Sequence, residues 1–101
     1  MKVNTGHEEF DVEVVLESYA NNHNVAIELV DTGDFMSFAT ITTNIEKLPK
    51  GYACIDTNNY PWATDFLVEN DLGYPTGTYM VSGFCTYPIY ELNLDKMSKG
   101  A

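Results

Sequence analysis

A chain of 101 residues, 45% of them hydrophobic, can bury one core but not two, because a second would not offset the entropy of ordering it. Its 15 acidic residues against five basic ones give a formal net charge of −10, which argues against direct contact with a phosphate backbone or an acidic membrane surface. A basic protein partner fits that charge better, and the absence of any apolar run near the roughly 20 residues of a membrane helix excludes a spanning segment.

The first ten residues, Met1 to Phe10, are polar and charged, without the apolar stretch of a secretory signal, so a single domain over 1–101 with frayed ends at 1–7 and 96–101 is expected. Glu9 to Glu17 alternates strictly. Phe10, Val12, Val14 and Leu16 share one face of a strand, and Glu9, Asp11, Glu13, Val15 and Glu17 share the other. The turn residues Asn21-Asn22-His23-Asn24 then lead into Val25 to Asp31, with Val25, Ile27 and Leu29 inward and Glu28 outward, which makes a hairpin. After Asp31-Thr32-Gly33-Asp34 a third strand is expected over Phe35 to Ile45. Its apolar residues have mixed parity, so it is either covered on both sides or bulged. Glu46 to Gly51 reads as a loop and Tyr52 to Asp56 as a short fourth strand.

Asp56-Thr57-Asn58-Asn59-Tyr60-Pro61-Trp62 is the densest cluster of turn formers and holds the single tryptophan. Asp56, Asn58, Asn59, Pro61 and Trp62 are therefore the expected structural keystone: Asn and Asp bond nearby amides, and Pro is harmless in the first turn of a helix. A helix is expected over about 61–71, with Trp62, Phe66, Leu67 and Leu72 on its apolar side and Gly73 as its stop. Gly73-Tyr74-Pro75-Thr76-Gly77 reads as a rigid turn, Thr78 to Val81 as a strand, and Ile89 to Leu94 as the last strand. The sum is an α+β domain: a mostly antiparallel sheet of about five or six strands with one helix packed on it.

The motifs Asp56-Thr57-Asn58-Asn59, Pro61-Trp62-Ala63, Pro75-Thr76-Gly77 and Ser82-Gly83-Phe84-Cys85-Thr86-Tyr87-Pro88 together resemble a family of small proteins of unknown function. Its members are carried by phages, plasmids and conjugative elements of Gram-positive and gut bacteria. The resemblance covers about half the chain. It implies a mobile-element origin and a cytoplasmic address in a bacterial host, and it carries no activity. Where family members often have Arg, Thr78-Tyr79-Met80-Val81 is uncharged, which disfavours nucleic-acid contact there.

Two surfaces are candidates for binding. Glu9, Asp11, Glu13, Glu17 and Glu28 form an acidic face with carboxylates about 6.5 to 7 Å apart along a strand, suited to covering the basic nucleic-acid site of a defence nuclease, as an anti-CRISPR or anti-restriction inhibitor would. The plainer reading is a solvated face that only keeps the chain soluble. Tyr60 and Tyr87 are the candidate anchors of an aromatic patch, on which a regulatory or structural interaction module would rely, with Trp62 and Phe84 expected in the core under the helix.

Catalysis is not expected. A Cys85 nucleophile lacks a nearby base, since His7 and His23 lie in the N-terminal arm and a turn. Neither a metal nor a cofactor is expected, because the spacing of zinc motifs, the EF-hand pattern and a phosphate-cradling glycine loop are all missing. Cys54 and Cys85 are expected as thiols, not a disulfide.

Overall fold

The computed structural model describes residues 1–99. In chain order its strands are β1 (Lys2–Asn4), β2 (Glu9–Ser18), β3 (Val25–Asp31), β4 (Ser37–Thr40), β5 (Thr42–Thr43), β6 (Tyr52–Ile55), β7 (Gly73–Ser82), β8 (Cys85–Leu92) and β9 (Ser98–Lys99). One α-helix, α1 (Ala63–Glu69), follows β6, and a 3-10 turn, Leu94–Lys96, follows β8. The class is α+β, as expected, but the strands divide into two sheets. The first runs β1-β2-β3-β4, with β9 added in parallel to the second half of β2; the second runs β5-β6-β8-β7.

The first hairpin follows the alternation. In β2, Val12 and Val14 are buried and Phe10 and Leu16 half-buried, while Glu9, Asp11, Glu13 and Glu17 are exposed. Opposite them Ile27 and Leu29 of β3 are fully buried. Together with Ala53, Ile55, Tyr90 and Leu92 of the second sheet, and with Phe66 and Leu67 of α1, they form one core. The His23 backbone takes φ +62°, as a four-residue turn rich in Asn allows.

Ile41 explains the mixed parity of the third strand. The chain pairs with β3 as far as Thr40 and with β6 from Thr42, so a single extended stretch changes sheets at Ile41. Its side chain is fully buried between them. Phe35 is not part of this strand; it sits in the preceding turn at φ +59° and is exposed.

Four boundaries differ from expectation. Residues 1–7 are not simply frayed, because β1 pairs with Glu9–Asp11 and buries Val3 in the core. At the other end Ser98–Lys99 pairs with Val15 and Leu16, and the rest of the expected C-terminal fraying, 100–101, lies outside the described residues. The helix begins two residues after Pro61, with Trp62 at the N-cap position in an αR conformation. It stops before Gly73: Asp71 takes φ +57°, its N–H bonds to Val68 O at 3.1 Å and that of Leu72 to Leu67 O at 2.8 Å, which is the Schellman arrangement with Asp in place of Gly. Gly73 instead opens β7, where a Cβ would stand 3.2 Å from Leu92 Cδ2.

The expected Gly73–Gly77 turn belongs to β7, a ten-residue strand. Its register with β8 shifts between Pro75 and Tyr79, where Gly77 takes φ +83° and Thr76 Oγ1 donates to Ile89 O at 2.8 Å. The Pro and Gly that suggested a turn are accommodated by an irregularity on an edge strand.

Candidate functional site

Directly paired residues of antiparallel strands project to the same face, so the register places the acidic side chains. Glu13 pairs with Val30, Val15 with Glu28 and Glu17 with Ala26. Glu28 therefore sits on the neighbouring strand between Glu13 and Glu17, and all five candidates share the outer face of the first sheet. This face is not uniformly acidic. Asp11 is paired with the Met1 ammonium at 2.9 Å and with Lys2 Nζ at 3.5 Å, and the hydrogen bond from that ammonium, followed by the charge of Lys2, holds its carboxyl below the usual carboxylate range. Glu28 Oε2 accepts from Ser37 Oγ at 3.2 Å. Half-buried Val15 and Val30 lie among the carboxylates, and Tyr19 reaches over the end of the face to bond the Thr42 carbonyl at 3.2 Å.

The keystone turn is built by Asp56 and Asn59. The buried Asp56 carboxylate accepts the Asn59 N–H at 3.2 Å and the Asn59 side-chain amide at 2.9 Å, while its carbonyl accepts the Tyr60 N–H at 2.9 Å. Asn58, Asn59 and Pro61 are all exposed, but Asn59 bonds the Asp56 carboxylate, so of the five expected residues Asp56 and Asn59 carry the turn and Trp62 carries the packing. A row of half-buried aromatic rings leads from the first sheet to this turn: Phe10 to Phe38 at 4.6 Å, Phe38 to Trp62 at 5.9 Å and Trp62 to Tyr60 at 5.5 Å between centroids. Beside it a cleft of about 470 Å³ opens between α1 and β1 with the residue that follows it (Lys2, Asn4, Thr5), lined also by Trp62, Asp65 and Glu69.

The expected aromatic patch is differently composed. Tyr60 packs into the aromatic row, and Tyr87 is half-buried on the far face of the second sheet, its phenol pushed up by interaction with Cys85 first, then by burial and the Asp56 charge. Phe84, expected beneath the helix, is fully exposed at the tip of the β7–β8 hairpin. Tyr79 (63% exposed) and Val81 (68% exposed) stand behind it on β7. Sequence reasoning admits Phe84 and Tyr79 to an aromatic patch with Tyr60 and Tyr87 but does not group them with Val81 on one hairpin, although one signal is present: from Leu72 to Tyr90 no residue is charged, in a chain of net charge −10.

The two cysteines are free thiols. Cys54 is buried, which raises its thiol pKa, and it pairs across the sheet with Ile89. Among the described residues no group of three or more His, Cys, Asp or Glu could hold a metal ion, and no helix is long and apolar enough to cross a membrane. Neither a curated protein nor a solved structure matches the chain. A family model does match it, over residues 13–100, and by that match the chain belongs to the family described as a domain of unknown function, DUF4313.

Proposed function

We propose that this protein is a non-enzymatic binding module that docks the outer face of its first sheet on a basic surface of a protein partner. The observation that carries the reading is the placement of Glu28 between Glu13 and Glu17, which gathers carboxylates from two strands of one hydrogen-bonded sheet. A rigid sheet holds such charges without the ordering cost that flexible side chains on a loop would add. Val15 and Val30 supply apolar area between them, in keeping with interfaces whose polar groups surround a less polar centre.

The resemblance to proteins of phages, plasmids and conjugative elements directs the proposal further. In that setting the partner is a host defence nuclease in the bacterial cytoplasm, and the protein inhibits it by covering its nucleic-acid-binding surface. Occlusion needs no catalytic group and no cofactor.

The test is a pull-down from host lysate at low and high salt, followed by the same assay with Glu13→Lys and Glu28→Lys. A basic nuclease recovered at low salt, released by salt and lost with either reversal supports the reading. Binding that resists salt and ignores both substitutions overturns it.

A further inference from the structure

We infer that the free edge of β7 is a self-association surface, on which a second copy of this chain pairs antiparallel to form one sheet continuous through both molecules. The second sheet ends at β7. At ten residues it is the longest edge strand, against three in β1, four in β4 and two each in β5 and β9. Natural edges are usually blunted by charge or proline. Here Pro75 blocks only the beginning, and Thr78 to Ser82 carries neither.

The hairpin fixes which backbone groups are open. Ser82 pairs with Cys85 around a two-residue turn, so that pair exchanges its hydrogen bonds within the hairpin, as does Met80 with Tyr87. The intervening Val81 and Tyr79 then direct their N–H and C=O groups to the free edge. The partner of Tyr79 is Pro88, a residue with no N–H to offer across the ladder, in agreement with this alternation.

A single two-fold register uses both open residues of both copies: Tyr79 opposite Val81 of the second copy, Val81 opposite its Tyr79, and Met80 facing Met80 on the axis. Every side chain brought together is then uncharged. This selects a second copy as the occupant, because two chains of charge −10 can meet without burying like charges only where charge is absent, and Leu72 to Tyr90 is such a stretch. An antiparallel edge is also self-complementary, as a two-fold interface requires. Tyr79 and Val81, both more than 60% exposed, gain apolar contacts across the edge.

The experiment is sedimentation equilibrium of the intact chain up to about 1 mM protein, at low and high salt, with dissociation constants compared. A dimer is expected that tightens as salt screens the repulsion between copies, the opposite of the trend for docking on a basic partner, so the two readings fail separately. Val81→Lys places like charges across the axis and is expected to weaken dimerisation at least tenfold while leaving the melting of the monomer unchanged. Met80→Cys in a Cys85→Ser background is expected to cross-link two copies on mild oxidation, and Ser82→Cys in the same background is not. A monomer at every concentration, a dimer indifferent to Val81→Lys, or cross-linking equal at both positions would overturn the inference.

Discussion

The backbone N–H of Asp56 bonds the carbonyl of Ile41 at 2.8 Å, which ties the turn that starts the helix to the residue at which the chain changes sheets. Ile41 is held from the other side as well, its N–H donating to Ile27 O at 3.0 Å. Sheet one, sheet two and the helix thus meet around one main-chain unit. Truncating the Asp56 side chain removes the charged acceptor shared by the Asn59 N–H and side-chain amide, and Asp56→Ala is expected to cost about 1–3 kcal/mol. Ile41→Ala, which empties a fully buried site, is expected to cost about 2–5 kcal/mol. Urea unfolding of both single variants and the double variant checks this. Coupling above about 0.5 kcal/mol is expected because the residues share a contact, and strict additivity would show that the turn and the crossover are independent.

Charge reversal on the acidic face separates binding from stability. Glu13 and Glu17 are exposed and Glu28 is half-buried, so Glu13→Lys and Glu17→Lys are expected to change unfolding free energy by no more than about 0.5 kcal/mol. The same changes should abolish salt-sensitive capture of a basic partner. Glu69→Lys, on the helix side of the core, is the control that alters net charge equally and should leave capture nearly intact. If all three substitutions reduce capture alike, net charge and not the sheet face is responsible.

The parts of this fold that were legible are those where one strand face is buried and the other wet. Val12 and Val14 against Glu13 and Glu17 show the two-residue period directly, and Glu28 falls on the same face because the hairpin register follows. Ile41 shows no such period. A strand that serves two sheets has no constant buried parity, so Phe35 to Ile45 reads as ambiguous. Tertiary pairing overrode local signals elsewhere: Pro75 and Gly77 suggest a turn and lie in an edge strand, and a three-residue β1 has too little length for periodicity. Phe84 reads as core because aromatic residues are usually buried, and hydrophobicity alone does not reveal a hairpin tip.

Asp71 ends the helix in a conformation that most residues avoid. At φ +57° a short polar side chain is tolerated, and the carboxylate also pairs with Lys96. Both partners of that pair are about half exposed, so Asp71→Asn, which keeps the backbone tolerance and removes the charge, is expected to cost no more than about 1 kcal/mol. Asp71→Val keeps neither and is expected to cost about 1–3 kcal/mol more through backbone strain. Thermal unfolding of the two variants decides the matter. Equal losses would assign the role to the ion pair instead of the helix stop.

Cys54 makes the fold sensitive to alkali. Burial raises its thiol pKa above the ordinary 9.0, so the folded chain holds the proton more tightly than the unfolded chain does. The linkage follows from that sign: the stabilisation is complete below about pH 9, where both states are protonated, and is lost as pH rises from the unfolded pKa through the folded one. Tyr90, raised by burial, and Tyr52, raised by its bond to Glu91, act in the same direction at higher pH. Cys54→Ala leaves those two tyrosines in place. Its destabilisation relative to the parent chain is therefore expected to be constant from pH 6 to 8, where it reports only the lost packing, and to shrink above about pH 9 as the parent loses the thiol contribution. Thiol labelling gives the matching kinetic result: at neutral pH the half-buried Cys85 reacts first, and Cys54 reacts at the rate of unfolding. Labelling of Cys54 as fast as Cys85 would mean that the second sheet opens locally at β6, and the gap between Cys54→Ala and the parent chain would then not narrow at high pH.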